Sequence, residues 1–236
     1  MPGRILLLTA PELTAVALPP LRAANPDIEC VVAHTSTELA REFSAPAKPD
    51  RIIAFASGVM VPPSTLALAG SGAFGFHPGP PEFRGLFPSA YAIDQCASNF
   101  GVTLHRLTAD PDSGEIVAVD RFGIPAHADR LALDTLTLTK MIALLTRMAG
   151  ILTNLNIVPA GCGQVWSGPV RDRTDFAALC RLQPDVTADE FARRYRAVGE
   201  GPFHALEIEM FGHRFKLDNR RAEPVVRAGQ PTWRAA

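Results

Sequence analysis

A chain of 236 residues, 47% hydrophobic and 20% charged, can bury the core of one domain or one and a half. A net charge of −1 and a pI near 6.6 count against a basic field that would draw the whole surface to nucleic acid or an anionic membrane. Four cysteines, at 30, 96, 162 and 180 with no Cys-x-x-Cys pair, count against a disulfide framework and against a metal site built from thiols. The apolar run at 5–8 is too short for a signal peptide, and no segment approaches the roughly 18 uninterrupted apolar residues that cross a bilayer. A soluble, cytoplasmic protein is expected.

In chain order, 4–9 (RILLLT) reads as a buried strand and 11–24 as a helix-like stretch punctuated by Pro19 and Pro20. Next come a strand at 28–33, a short helix at 37–43 and a strand at 51–55 (RIIAF). Residues 63–69 read as a helix with Pro near its start, where the missing N–H costs least, and 73–77 as a fourth strand. Such Ile/Leu/Val strands alternating with helices predict a mostly parallel sheet covered on both faces. A Pro/Gly-rich loop at 78–88 precedes a helix at 89–98, a strand at 102–107, a polar loop at 108–114 and a strand at 116–121. The Pro-free stretch 129–156 predicts the longest helix, capped by Asp129. Its apolar residues on several faces predict burial between the sheet and a second layer.

From about residue 160 the texture changes. Residues 161–173 read as a Gly-rich loop, Thr187-Ala188-Asp189-Glu190 as a capping box opening a helix, and 204–217 as two strands turning at Gly212. The polar tail beyond Asn219 reads as frayed. The expected architecture is α/β: a Rossmann-like domain with a mostly parallel sheet over residues 1–159, then a small α+β appendage of helices and a hairpin over 160–236.

Ligands of open α/β sheets gather at the carboxyl ends of the strands. Two loops there carry chemistry: 76–85 (FHPGPPEFRG), with His77, and 108–114 (TADPDSG), with Asp112. Delivered by adjacent strand ends, His77 and Asp112 are expected to share a cleft. Taken separately, each also fits a plain structural reading, a backbone-bonded strand-end His and an Asp-x-Gly turn.

Taken together, HPGPPEFRG (77–85), FPSAYAI (87–93), GVTLH (101–105) and DSGEI (112–116), with RILLLTAP (4–11) and RIIAFASGVMVP (51–62), resemble the folate-dependent formyltransferases. That family includes methionyl-tRNA formyltransferase, glycinamide ribonucleotide formyltransferase and the sugar-nucleotide N-formyltransferases. The likeness covers about residues 4–156. It implies a Rossmann-like formyltransferase fold, 10-formyltetrahydrofolate as formyl donor, and a catalytic set that includes His77 and Asp112. The family's Asn, two residues before the His, is Gly75 here, and the loop looks one residue shorter. His105, which ends GVTLH, is a candidate second donor in place of that Asn, or else a structural His bonded to nearby backbone. The resemblance places the pterin among Gly58, Val59, Met60 and Val61 and the residues Thr108, Ala109 and Asp110, where apolar walls and backbone hydrogen bonds suit a flat heterocycle, although residues 55–62 also read as a plain strand end and turn. The resemblance also admits a cis peptide at Pro80–Pro81. A carboxylate at Asp112 is expected to favour the imidazolium of His77 and strengthen its donor hydrogen bond.

The first strand–helix turn, Thr9-Ala10-Pro11-Glu12, lacks the Gly backbone that approaches a phosphate, which counts against a phosphoribosyl acceptor. Near-zero charge and a short appendage count against tRNA. The expected partner is a small-molecule amine, such as an amino group on a nucleotide sugar. Arg171, Arg173, Arg193, Arg194 and Arg196 read as a solvated face or as a cluster gripping an acceptor's phosphate or carboxylate. Glu190, Arg194 and Tyr195 could serve a homodimer contact. Trp166 reads as part of a loop closing over the cleft, or as a core or interface Trp. No role is expected for His34, His127, His204 or His213. Two alternatives use the same scaffold: a hydrolase of the formyl donor, and a catalytically silent ligand-binding module.

Overall fold

Alternation along the first strand sets the layers. In the computed structural model, which describes residues 3–198 and 206–217, β1 (Arg4–Thr9) sends Ile5 and Leu7 into one apolar cluster and Leu6 and Leu8 into another. With β2 (Glu29–Ala33), β3 (Arg51–Phe55), β4 (Ala73–His77), β6 (Asn99–Arg106) and β7 (Ile116–Gly123) it forms a sheet ordered β2-β1-β3-β4-β6-β7. The first four strands are parallel to one another, β6 is antiparallel to β4, and β7 is antiparallel to β6.

One face is covered by α1 (Thr14–Ala24) and α5 (Arg130–Thr153), whose Leu21, Leu144, Leu145 and Leu152 meet Ile5, Ile53, Phe74 and Val102. The other is covered by α2 (Ser36–Ser44) and α3 (Pro63–Leu66), with Leu39 and Phe43 against Leu6, Leu8 and Ile52. Pro19 and Pro20 lie inside α1 rather than breaking it. The carbonyls they leave without a helical partner, four residues earlier, belong to Ala15 and Val16, on the exposed side of the helix where water can reach them.

Asp129 caps α5 as expected, its side chain accepting from the Ala132 N–H at 2.8 Å. Burial follows a single stripe spaced three to four residues apart, from Leu133 through Met141 and Leu145 to Leu152, rather than several faces. Leu131, off that stripe, is 60% exposed. By length and composition this 24-residue helix could cross a membrane, but its apolar stripe is spent on the core.

The carboxyl end of α5 is held by Arg51, the first residue of β3 and fully buried. Its guanidinium donates to the carbonyls of Ser71, Ile151, Leu152, Asn154 and Ile157. These include the orphan carbonyls that end a helix, and the positive charge sits at the negative end of the helix dipole.

Beyond residue 160 the expected loop is shorter than read. Two-residue β8 (Val170–Arg171) pairs with β5 (Arg84–Gly85), and α6 (Arg173–Cys180) follows, opened by an Asp172–Asp175 capping box that the sequence reading passed over. Next come β9 (Arg181–Leu182) and α7 (Ala188–Val198), where the Glu190 N–H donates to the Thr187 hydroxyl. The hairpin of β10 (Glu207–Met210) and β11 (His213–Lys216) turns at Phe211–Gly212, and β9 pairs with β10. Phe176, Leu179, Ala197, Val198 and Leu206 share a cluster with Phe100, Leu133 and α4 (Pro88–Asp94). The later elements are thereby packed against β6 and the start of α5. His204 and the tail beyond Asn219 lie outside the described residues.

All peptide bonds among the described residues are trans, so the cis form admitted at Pro80–Pro81 is not adopted. The loop closes without it, through a Phe83 N–H bond to the Pro80 carbonyl at 3.0 Å.

Replacing Arg51 with Met should destabilise the fold by about 3 kcal/mol, because several buried carbonyls lose their only ionised donor. Urea unfolding of the variant against wild type checks this, and a midpoint unchanged within error would contradict it.

Candidate active site

The strictly alternating strands β4 and β6 build the site. Phe74, Phe76, Val102 and Leu104 point into the α1/α5 core, so Gly75, His77, Thr103 and His105 project from the opposite face. The ladder sets Gly75 opposite His105 and His77 opposite Thr103, which places both imidazoles on one patch of sheet. The Thr103 hydroxyl donates to the Gly79 carbonyl at 2.8 Å and pins the loop that leaves His77.

Gly75 lies beneath Leu107 and beside His105. A Cβ there would stand 2.6 Å from Leu107 Cδ2 and 3.4 Å from His105 Nε2, so a side chain at 75 would push the Leu107 side chain aside while only touching the His105 ring.

Asp112 arrives by a route the sequence reading did not foresee. Because β6 is antiparallel to β4, the 108–114 loop departs beside Ala73 rather than beside His77, as the Leu107 N–H bond to the Ala73 carbonyl shows. The loop must fold back over the sheet face. It does so through a turn held by Thr108 and Ser113 hydroxyl bonds to the Asp110 carbonyl, with Asp112 at a φ of 44°. Asp tolerates this left-handed conformation better than most residues. At Gly114 a Cβ would lie 1.9 Å from the Arg106 carbonyl oxygen, so the Asp-x-Gly spacing is dictated by contact with the end of β6.

The carboxylate then bridges the two imidazoles. Asp112 Oδ2 is 3.2 Å from His77 Nδ1, and Oδ1 is 3.6 Å from His105 Nε2. Oδ2 also accepts the Gly85 N–H at 2.8 Å, and the Asp112 carbonyl accepts Arg84 Nε at 2.8 Å. Each ring's far nitrogen meets a backbone carbonyl: His77 Nε2 on Phe83 at 2.7 Å, and His105 Nδ1 on Arg106 at 2.9 Å. A carbonyl and a carboxylate both only accept, so a neutral ring donates to just one of its two partners and only a protonated ring satisfies both.

Trp166 covers the group. Its ring lies nearly edge-on to His77 and His105, with centroids 5.6 and 5.0 Å away, and its indole N–H donates to the Gly114 carbonyl at 2.7 Å. The Arg84 guanidinium stands 5.9 Å from the indole ring. The side chains of His77, His105 and Asp112 are consequently 4%, 6% and 14% exposed. The two loops thus meet in a covered centre, not an open cleft.

Burial works against the expected charge on the rings. Desolvation holds the His77 imidazole below its ordinary range despite the opposing pull of Asp112 and the Phe83 carbonyl. His105 is pushed down to about 4, again by burial first, with Asp112 opposing and His77 adding to the shift. Asp112 thus favours the imidazolium form, as expected, but burial outweighs it.

Of the residues expected to face a pterin, Val61 is buried and Val59 half-buried, and both pack with Leu107 in the α2/α3 cluster. Gly58, Met60, Thr108, Ala109 and Asp110 are exposed on either side of that apolar strip. Exposed backbone beside an apolar wall suits a flat, amide-like ring. The arginines read as a possible anion grip are largely engaged: Arg171 with Asp175 and the Tyr91 ring, Arg193 with Asp94, Arg194 with Glu190. His34 bonds the Thr9 carbonyl, and His127 and His213 are exposed. The sequence reading missed the Phe83 carbonyl, the Gly85 N–H and the contact of Trp166 with both histidines. The only trace of the last was one large aromatic in a polar, Gly-rich loop.

The depressed imidazoles tie stability to pH. Each ring takes up a proton more readily in the unfolded chain, near pH 6.5, than in the fold, so stability is full above that pH and falls as pH drops toward 4. For His105 alone the loss is on the order of 3 kcal/mol. Urea unfolding at pH 7.5, 5.5 and 4.5 should show the decline, and His105→Gln should flatten it. An equal slope in the variant would contradict this assignment.

Comparison with known proteins agrees with this architecture. The formyl transferase family model matches residues 20–147, more than half of the chain. A sugar N-formyltransferase from Shewanella sp. is 17% identical with a TM-score of 0.75, covering 92% of this chain and 97% of that one. An N-formyltransferase from Helicobacter canadensis, solved with folinic acid and dTDP-3-aminofucose, is 14% identical with a TM-score of 0.65, covering 83% of this chain and 80% of that one. HypX from Aquifex aeolicus, solved with tetrahydrofolic acid, is 20% identical with a TM-score of 0.61, covering 91% of this chain but only 37% of its own. With this match over a sheet that carries the His77–Asp112–His105 centre, the chain belongs to the formyl transferase family of enzymes.

Proposed function

We propose that this enzyme moves a formyl group from 10-formyltetrahydrofolate to the amino group of a small cytoplasmic acceptor of the nucleotide-sugar class. The observation that carries this reading is the carboxylate of Asp112 set between two buried imidazoles. Support for the donor comes from the folate compounds bound by the Helicobacter and Aquifex proteins, and for the acceptor from the dTDP-amino sugar bound by the former.

In the reaction, the amine nitrogen forms a bond to the formyl carbon and the bond from that carbon to N10 of the folate breaks. The amine gives up a proton and N10 takes one. Asp112 Oδ1 and Oδ2 present acceptors for the proton in transit, with His77 Nδ1 and His105 Nε2 beside them to share it. The Gly85 N–H keeps the carboxylate aimed at both rings. Residues from 160 onward form, in this reading, the appendage that supplies the cover, Trp166.

A silent binding module would have no use for a carboxylate set between two histidines and fixed by a backbone amide.

Incubation with 10-formyltetrahydrofolate and a dTDP-linked amino sugar should yield an N-formylated product by mass spectrometry. Asp112→Asn and His77→Ala should each lower its rate of formation about 10²- to 10⁴-fold. Rates unchanged in both variants would refute the assignment.

A further inference from the structure

We propose that the indole of Trp166 is a displaceable plug, standing where the formyl group must come and leaving when the folate donor binds. This rests on the formyl-transfer reading and adds a moving part to it.

The geometry leaves little choice about what moves. Behind the two imidazoles is the sheet itself, with Gly75 and Thr103 locked in the β4–β6 ladder. To one side, the Phe83 carbonyl and the Gly85 N–H are bonded to His77 and Asp112. On the open side stands the indole, edge-on to both rings. A formyl carbonyl that reaches Asp112 and His77 has to occupy that volume.

The segment that carries Trp166 is built to yield. Residues 157–169 form neither helix nor strand. Near Trp166 the strap is tied by a Cys162 N–H bond to the Ile116 carbonyl, a Ser167 N–H bond to the Pro81 carbonyl, an Arg121 guanidinium bond to Gln164 Oε1 at 3.3 Å, and the indole bond to Gly114. Its neighbours face outward, with Val165 77% exposed, so moving the indole uncovers little besides the centre itself. With the plug seated, water is kept from the carboxylate and both rings until the donor takes its place.

The chain has two tryptophans, so Trp233→Phe leaves Trp166 as the only indole reporter. Titration of that variant with folinic acid, with calorimetry in parallel, should shift the emission to the red and raise acrylamide quenching at least twofold as binding saturates. In the Trp233→Phe/Trp166→Ala chain, where no indole has to leave first, folinic acid should bind at least tenfold more tightly. Heat of folinic acid binding with unchanged emission and quenching would overturn the plug while leaving the formyl-transfer reading intact. No heat in either chain would overturn the folate reading and the plug with it.

Discussion

Everything in this site depends on one carboxylate that bridges two buried imidazoles. The far nitrogen of each ring meets a backbone carbonyl, Phe83 for His77 and Arg106 for His105. The Gly85 amide donates to the carboxylate and holds it in place. Carbonyls and carboxylate alike only accept, so they favour a proton arriving at the rings, while burial resists a lasting positive charge. The centre is therefore suited to receiving a proton from an attacking amine.

Gly75 fits that logic. The family pattern implied a side-chain amide at this position, and its replacement by hydrogen reads from the sequence as a loss. In the fold, the Leu107 side chain lies over the space that a Cβ would claim, and the His105 ring borders it at contact distance. Trp166 seals the outer surface, and the short β5–β8 pairing fastens the appendage to the loop that follows His77.

Much of the frame was legible in the residues. The strands at 4–9, 51–55 and 73–77 were read at their observed bounds, because each is a short apolar run closed by turn residues. His77 and Asp112 were singled out by residue type and by order along the chain. What the reading lacked was direction. The strand 102–107 looked like one more buried parallel strand, although its alternation of Val102 and Leu104 with Thr103 and His105 already marked two unlike faces. The antiparallel course of β6 is a long-range pairing with no local signal. Charge state was misread for a related reason: the pull of Asp112 on His77 can be argued from composition, but the burial that outweighs it comes from an indole more than fifty residues away in sequence. The α6 helix was passed over because Asp172 and Asp175 form a capping box with two acids in place of the more familiar Ser/Thr and Glu.

The most direct test of the central claim is the protonation state of the two rings. Long-range ¹H–¹⁵N spectra of the histidine-labelled protein should show both rings neutral at pH 7 and His105 taking up its proton only well below pH 6. A charged ring at either position at pH 7 would contradict the account.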